Sequence, residues 1–225
     1  MTTGKSFKYV AFYDLDHTIL VDNSATHLIN EARKRGFMSN RHFRHAIYLS
    51  IFYKIGIGDS AKTITYMLSW LRGLREDQIR ELCIEVFYGL IVNKIRPEIL
   101  RTFEEHRSGN GAVVLLSSAS GPICDPVSEY LELDDVICSK LETHEGVFTG
   151  KILGKLVYGE EKKSRLLSYC TDHGYDPAEA YYYGDSYMDH HVMACVGNPV
   201  AVDPDTRLCR IAQKRNWTIL VRNRA

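Results

Sequence analysis

The chain carries no excess of charge of either sign: 28 Lys and Arg balance 28 Asp and Glu, for a formal net charge of zero. With no basic footprint for a polyanion to track, no nucleic-acid partner is expected. No run approaches the roughly 18 apolar residues of a membrane span, so no stable membrane insertion is expected either. Met1 to Lys8 lead directly toward a strand-like run without an apolar signal core, and the expected location is cytoplasmic. The six cysteines, Cys83, Cys124, Cys138, Cys170, Cys195 and Cys209, are widely scattered. With no CxxC pair and no Cys/His cluster of zinc spacing, they read as reduced core residues. Internal repeats and low-complexity tracts are absent as well, which argues against a linker-separated second protein.

What is present is a hydrophobic content of 45%, enough to build a packed interior. Short apolar runs at residues 9–13, 112–116, 136–138, 180–183, 199–202 and 218–221 read as strands. Most are separated by helical patterns, the alternation that produces an α/β fold with a parallel sheet. Residues 22–96 break the alternation with almost no strand signal. Helices are expected there at 24–34, 41–53, 61–71 (after the turn Gly56-Ile57-Gly58-Asp59) and 76–92, enough for a small bundle. Its most apolar stretch, residues 46–53, reads as bundle core. Residues 141–152 read as a hairpin turning at Glu145-Gly146.

The chemistry is concentrated at the ends of these strands. Asp14 and Asp16 follow the first apolar run, and residues two apart in extended chain point the same way, toward one crevice. Two adjacent carboxylates repel unless a cation lies between them, and a hard divalent ion with oxygen ligands is the natural occupant. A second acidic cluster, Asp185 and Asp189, follows the run at 180–183. Between them, Ser117 and Ser118 close the run at 112–116, and Lys162 and Lys163 open a helical stretch. His190-His191 follows Asp189, but adjacent helical residues face different ways, so the pair reads as helix surface or packing.

Asp, Asp, Ser, Lys, Asp and Asp in this order resemble the four motifs of the haloacid dehalogenase superfamily, and most closely its phosphoserine-phosphatase-like branch (subfamily IB). The resemblance spans nearly the whole chain. It implies a Rossmann-like parallel core formed by residues 1–21 and 97–225, with residues 22–96 as an inserted helical cap of the C1 type. It also implies Mg2+-dependent hydrolysis of a small phosphorylated metabolite. Asp14 would be the nucleophile and form an aspartyl-phosphate, and Asp16 the general acid/base. Asp14, the Asp16 backbone carbonyl, Asp185 and Asp189 would hold the metal. Ser117 would donate a hydrogen bond to the phosphoryl group, although Ser118 and Ser120 have the same chemistry. Lys162 would screen Asp14, its spacing to Asp185 fitting the family better than that of Lys163.

Ser118 and Asn23 fall on the substrate's side of the site. Phosphoserine phosphatases place an acid and a cap arginine where this chain has Asn23 and Met67, so phosphoserine itself is not the expected substrate. Two other readings stay open: a phosphotransferase that passes the phosphoryl group to an alcohol, and an inactive binding protein on the same fold.

Overall fold

The computed structural model describes residues 6–54, 63 and 66–220. Six strands, β1 (Tyr9–Tyr13), β2 (Gly111–Ser120), β3 (Asp135–Ser139), β6 (Tyr181–Gly184), β7 (Asn198–Val202) and β8 (Thr218–Leu220), form one sheet in the order β3-β2-β1-β6-β7-β8. Every pairing in it is parallel. Val10 to Tyr13 are fully buried, as expected of a central strand covered on both faces. Ala11 and Tyr13 face one apolar layer, while Val10 and Phe12 face the other.

Helices α4 (Pro97–Ser108), α5 (Gly121–Leu131), α6 (Glu160–His173) and α7 (Thr206–Arg215) connect the strands. Pro97 starts α4 where its missing N–H has no intrahelical partner to lose. Asp205 caps α7 by accepting from the N–H groups of Arg207 and Leu208, each at 2.8 Å. The chain runs β1 to β3 in one direction and then returns to place β6 on the other side of β1. The crevice at the carboxyl ends of β1 and β6 is therefore the topological switch point of the sheet, where such folds bind ligands.

Among the described residues, no strand lies between β1 and β2. That segment holds α1 (Ser24–Lys34), α2 (Asn40–Lys54) and α3 (Glu76–Val86). The helix expected at 76–92 is shorter than its pattern. It ends at Val86 and continues as a wide turn, in which the Val92 N–H donates to the Phe87 carbonyl, and then as a 3-10 turn over Val92–Lys94. Gly89 in its middle weakens helical continuity, and β-branched Ile91 and Val92 follow. The helix expected at 61–71 and the preceding turn lie outside the described residues, apart from Thr63 and the stretch from Tyr66, which closes in a 3-10 turn at Ser69–Leu71. In the stretch read as bundle core, Ala46 is buried but Ile47 and Tyr48 are exposed; the side chains from Ser50 onward lie outside the described residues. Val221, expected at the end of β8, lies outside them too.

The two connections to the helical segment are paired with each other. Val21 N–H donates to the Lys94 carbonyl at 2.8 Å, and Arg96 N–H to the Ile19 carbonyl at 2.9 Å. The hairpin of β4 (Leu141–His144) and β5 (Val147–Ile152) turns at Glu145 and Gly146, both at positive φ, a conformation Gly146 adopts without steric penalty. The hairpin is also bonded to the helical segment. Gly73 N–H donates to Phe148, Phe148 N–H to Leu74, and Glu76 N–H to Gly146, so residues 73–76 lie hydrogen-bonded along β5.

A buried polar network joins α4 to the sheet. His106 bridges the Tyr9 hydroxyl at 3.0 Å and the Tyr183 hydroxyl at 2.9 Å, and also packs against the rings of Tyr13 and Tyr181. Burial pushes the His106 pKa down from 6.5 to about 4. Between those values the unfolded chain binds a proton that the folded chain refuses, so stability falls with acidification by about 1.4 kcal/mol per pH unit. The stability advantage of wild type over His106→Gln should therefore shrink by roughly 3 kcal/mol between pH 7 and pH 4. Denaturant unfolding at a series of pH values measures this, and a constant difference would exclude a neutral buried His106.

Candidate active site

Asp14 sits immediately past β1, its N–H donating to the Tyr183 carbonyl at 3.0 Å. That bond aligns the ends of β1 and β6, the two strands that carry the acids. Lys162, in the first turn of α6, is buried and sends its ammonium to Asp14 Oδ1 and Asp189 Oδ1, both at 2.9 Å. Its contact with Asp14 is ionic rather than an aligned hydrogen bond, whereas Asp189 Oδ1 accepts one. Lys162 also donates to the Tyr182 hydroxyl at 3.1 Å, and that hydroxyl in turn donates to Asp189 Oδ1 at 3.1 Å. Burial by itself would lower the Lys162 pKa, but Asp14 and Asp189 outweigh it and hold it well above its ordinary value. Lys163 is partly exposed and lies 3.9 Å from Glu160, away from this cluster.

One carboxylate oxygen each from Asp14, Asp185 and Asp189 lies within 4.8 Å of the others. Burial and repulsion from Asp14 and Asp189 push the Asp185 pKa well up, and burial raises that of Asp189. Asp189 Oδ2 is buried without a hydrogen-bond partner. Three converging carboxylates, one with an orphaned buried oxygen, are a donor set that fits a hard divalent cation such as Mg2+. Gly184 makes this packing feasible. A Cβ there would lie 2.9 Å from Asp189 Oδ2 and 2.9 Å from Tyr182 Cε1.

Asp16 lies outside the carboxylate cluster. The chain turns sharply through residues 14–20, with Ile19 N–H on the Asp14 carbonyl and Leu20 N–H on the Leu15 carbonyl, while His17 adopts a left-handed φ of 61°. This turn carries the Asp16 carboxylate to the start of α1. There Oδ1 accepts from Ser24 N–H at 2.7 Å and Oδ2 from Asn23 Nδ2 at 3.0 Å. Burial raises the Asp16 pKa against the opposing effect of the Ser24 hydrogen bonds and the Lys162 charge. A carboxyl so tuned is suited to holding and returning a proton.

Asn23, placed on the substrate's side by the resemblance, binds Asp16 with its amide nitrogen and caps α1 with its oxygen, which accepts from Thr26 N–H at 3.0 Å. An Asn directly before an amphipathic helix is itself a capping signal that the sequence carries. Ser117 is buried at the β1 side of β2, two residues past Leu115, the partner of Tyr13. Its Oγ accepts from Ala119 N–H at 3.2 Å, leaving its own proton to donate. Ser118 is partly exposed, and its carbonyl accepts from the Ser139 hydroxyl at 3.0 Å. His190 and His191 do not face different ways as expected: their rings lie 3.7 Å apart at 44°, with His190 Nδ1 meeting the Tyr187 carbonyl and His191 Nδ1 meeting Glu160. Tyr182 was absent from the expected site. Its signal was a phenol inside a buried strand run, which needs a polar partner for its hydroxyl.

A model of the haloacid dehalogenase-like hydrolase family matches residues 11–194, and the chain belongs to that family. It is thus a hydrolase, and its architecture is phosphoserine-phosphatase-like. It is 29% identical over 214 residues to a protein of Streptomyces azureus named for inhibition of morphological differentiation, covering 93% of this chain and 77% of that one. It is 25% identical over 218 residues to a phosphoserine phosphatase of Mycobacterium tuberculosis, covering 93% and 69%. A Bordetella pertussis crystal structure of unknown function superposes with a TM-score of 0.87 at 22% identity, covering 95% of this chain and 98% of the other. A phosphoserine phosphatase bearing an analogue of its phospho-aspartyl intermediate superposes with a TM-score of 0.72 at 16% identity, covering 96% and 93%.

Gly184→Ala should force Asp189 and Tyr182 apart. Overpacking of this kind costs about 1–3 kcal/mol. Thermal and denaturant unfolding should register that loss, and an unchanged midpoint would show that the cluster tolerates the extra methyl.

Proposed function

We propose that the protein is a Mg2+-dependent phosphatase of a small phosphate monoester, with residues 22–96 as the cap over its crevice. The observation that carries this reading is the division of labour between the two acids of the first turn. Asp14 faces Lys162 and the cluster of Asp185 and Asp189, while Asp16 is held apart with its pKa raised.

In the first half-reaction an Asp14 carboxylate oxygen attacks phosphorus and the bond from phosphorus to the ester oxygen breaks. Asp16 delivers its proton to the departing alcohol. In the second, water attacks the phosphorus of the aspartyl-phosphate, Asp16 accepts the water's proton, and Asp14 leaves as carboxylate. Lys162 holds Asp14 oriented and offsets the negative charge that phosphate brings to it. The Ser117 hydroxyl donates to a phosphoryl oxygen, and Ser118 lies beside it. Asp14, the Asp16 carbonyl, Asp185 and Asp189 would hold Mg2+, which neutralises charge on the transferring group when bound.

Purified protein should release inorganic phosphate from a panel of phosphorylated metabolites or aryl phosphates only with a divalent cation present. Complete inactivity across such a panel would count against the reading. Asp14→Asn should abolish both turnover and phosphoenzyme trapping without unfolding the protein. Asp16→Asn should retain phosphoenzyme formation from substrates with good leaving groups, but lose on the order of 10²–10⁴ in rate toward alkyl phosphates. Wild-type activity of Asp14→Asn in metal-saturated assays would remove the covalent assignment.

A further inference from the structure

We infer that Arg96 is a positioning residue for the general acid Asp16, and that it acts by fixing the turn that carries that residue. The inference rests on the mechanism proposed above. Arg96 lies on the second connection to the cap, before Pro97, with its side chain only 4% exposed. Its guanidinium is too enclosed to serve as a solvent-facing anion contact. Its Nη2 instead donates to the His17 carbonyl at 3.2 Å and to Asp203 Oδ2 at 3.4 Å, and Nη1 reaches Glu98 Oε1 at 3.5 Å. Its backbone N–H donates to the Ile19 carbonyl at 2.9 Å.

The placement of these contacts gives them their meaning. His17 directly follows Asp16 and holds a left-handed φ of 61°, which is uncommon for a residue with a Cβ and persists when the surroundings enforce it. His17 N–H donates to the Asp22 carbonyl at 3.3 Å, and Arg96 holds the carbonyl of the same residue. The Asp16 carboxylate is held from the α1 side by Ser24 and Asn23. Arg96 supplies the hold from the core side and braces it on Asp203, just past β7. Leu15, Ile19 and Leu20 anchor the rest of the turn in the core, but without that brace the His17 carbonyl, the peptide next to Asp16, loses its side-chain tie to the sheet, while the Asp16 carboxylate stays tied to α1.

A misplaced general acid leaves a signature that general destabilisation does not. Protonation is essential when the leaving group is an alkoxide and dispensable when it is a nitrophenolate. Arg96→Ala should slow phosphoenzyme formation, measured in a single turnover, by about 10²-fold with an alkyl phosphate, the scale of a misplacement near 1 Å, while changing the nitrophenolate burst from 4-nitrophenyl phosphate by less than about threefold; steady-state turnover of both substrates falls, because Asp16 is also the base of the second step. Arg96→Lys, which keeps charge but loses the planar fork, should show the same selectivity with a smaller loss. Thermal melts check that each variant is folded. If Arg96→Ala does not fold, Asp203→Asn, which weakens the brace from an exposed position, takes its place and should lower the alkyl-to-aryl ratio of phosphoenzyme-formation rates about threefold.

Asp16→Asn run in parallel separates the two levels of argument. A selective defect in Asp16→Asn and in the Arg96 variants supports both. A selective first-step defect in Asp16→Asn alone, with folded Arg96 or Asp203 variants slowing phosphoenzyme formation from alkyl and aryl phosphates equally or not at all, overturns the role of Arg96. No selective defect in Asp16→Asn overturns the mechanism and this inference with it.

Discussion

A buried ammonium holds the site together. Lys162 lies under the ends of β1 and β6 with Asp14 on one side and Asp189 on the other, each at 2.9 Å. Removing a charged group from water is expensive, and a buried cation is retained when close opposite charges and hydrogen bonds replace its hydration. The Tyr182 hydroxyl completes that replacement. Every acid in the crevice is then set relative to one fixed positive charge. Asp14 and Asp189 are drawn to it, and Asp185 stands at the margin, where burial and repulsion push its pKa up. Because α6 delivers the lysine while β1 and β6 deliver the acids, the position of the helix against the sheet and the electrostatics of the crevice are a single constraint.

That constraint also separates two acids only two residues apart. In an ideal strand Asp14 and Asp16 would share a face. The turn after Tyr13 instead sends Asp14 to the lysine and Asp16 to the first turn of α1, where backbone and amide N–H groups take both of its oxygens. Local sequence near Asp16 thereby serves two purposes: Asn23 and Ser24 begin a helix and seat a carboxyl in the same few atoms.

Much of this was legible from residue pattern. The strand runs were readable because a central parallel strand is apolar on both faces, as Val10 to Tyr13 are. Acids and hydroxyls at run ends marked the crevice. Strand order was not readable, because it depends on long-range pairing that no local pattern encodes. Ser117 to Ser120 extend β2 although they lack the branched and aromatic residues of a strand, since pairing with β3, Ser120 against Ser139, overrides weak local preference. The choice between Lys162 and Lys163 turned on helix phase within a charged run, where composition is silent. Tyr182 and Arg96 find polar partners in neighbours distant in the chain, and the bond of Asn23 to Asp16 depends on a turn whose shape is not written in its composition.

The strip at residues 73–76 laid along β5 changes what counts as a transferable part of this molecule. The hairpin belongs to the core by sequence position, yet its backbone bonds run to the helical segment, and the Arg72 guanidinium reaches the Thr149 carbonyl as well. Grafting a relative's helical segment onto this sheet at the two linkers alone would leave the backbone donors and acceptors of β5 facing a foreign edge. A working chimera has to exchange residues 141–152 together with the helical segment. In the same way, an insertion or deletion in that hairpin acts on the segment it is bonded to, so the natural unit of variation here is discontinuous in sequence.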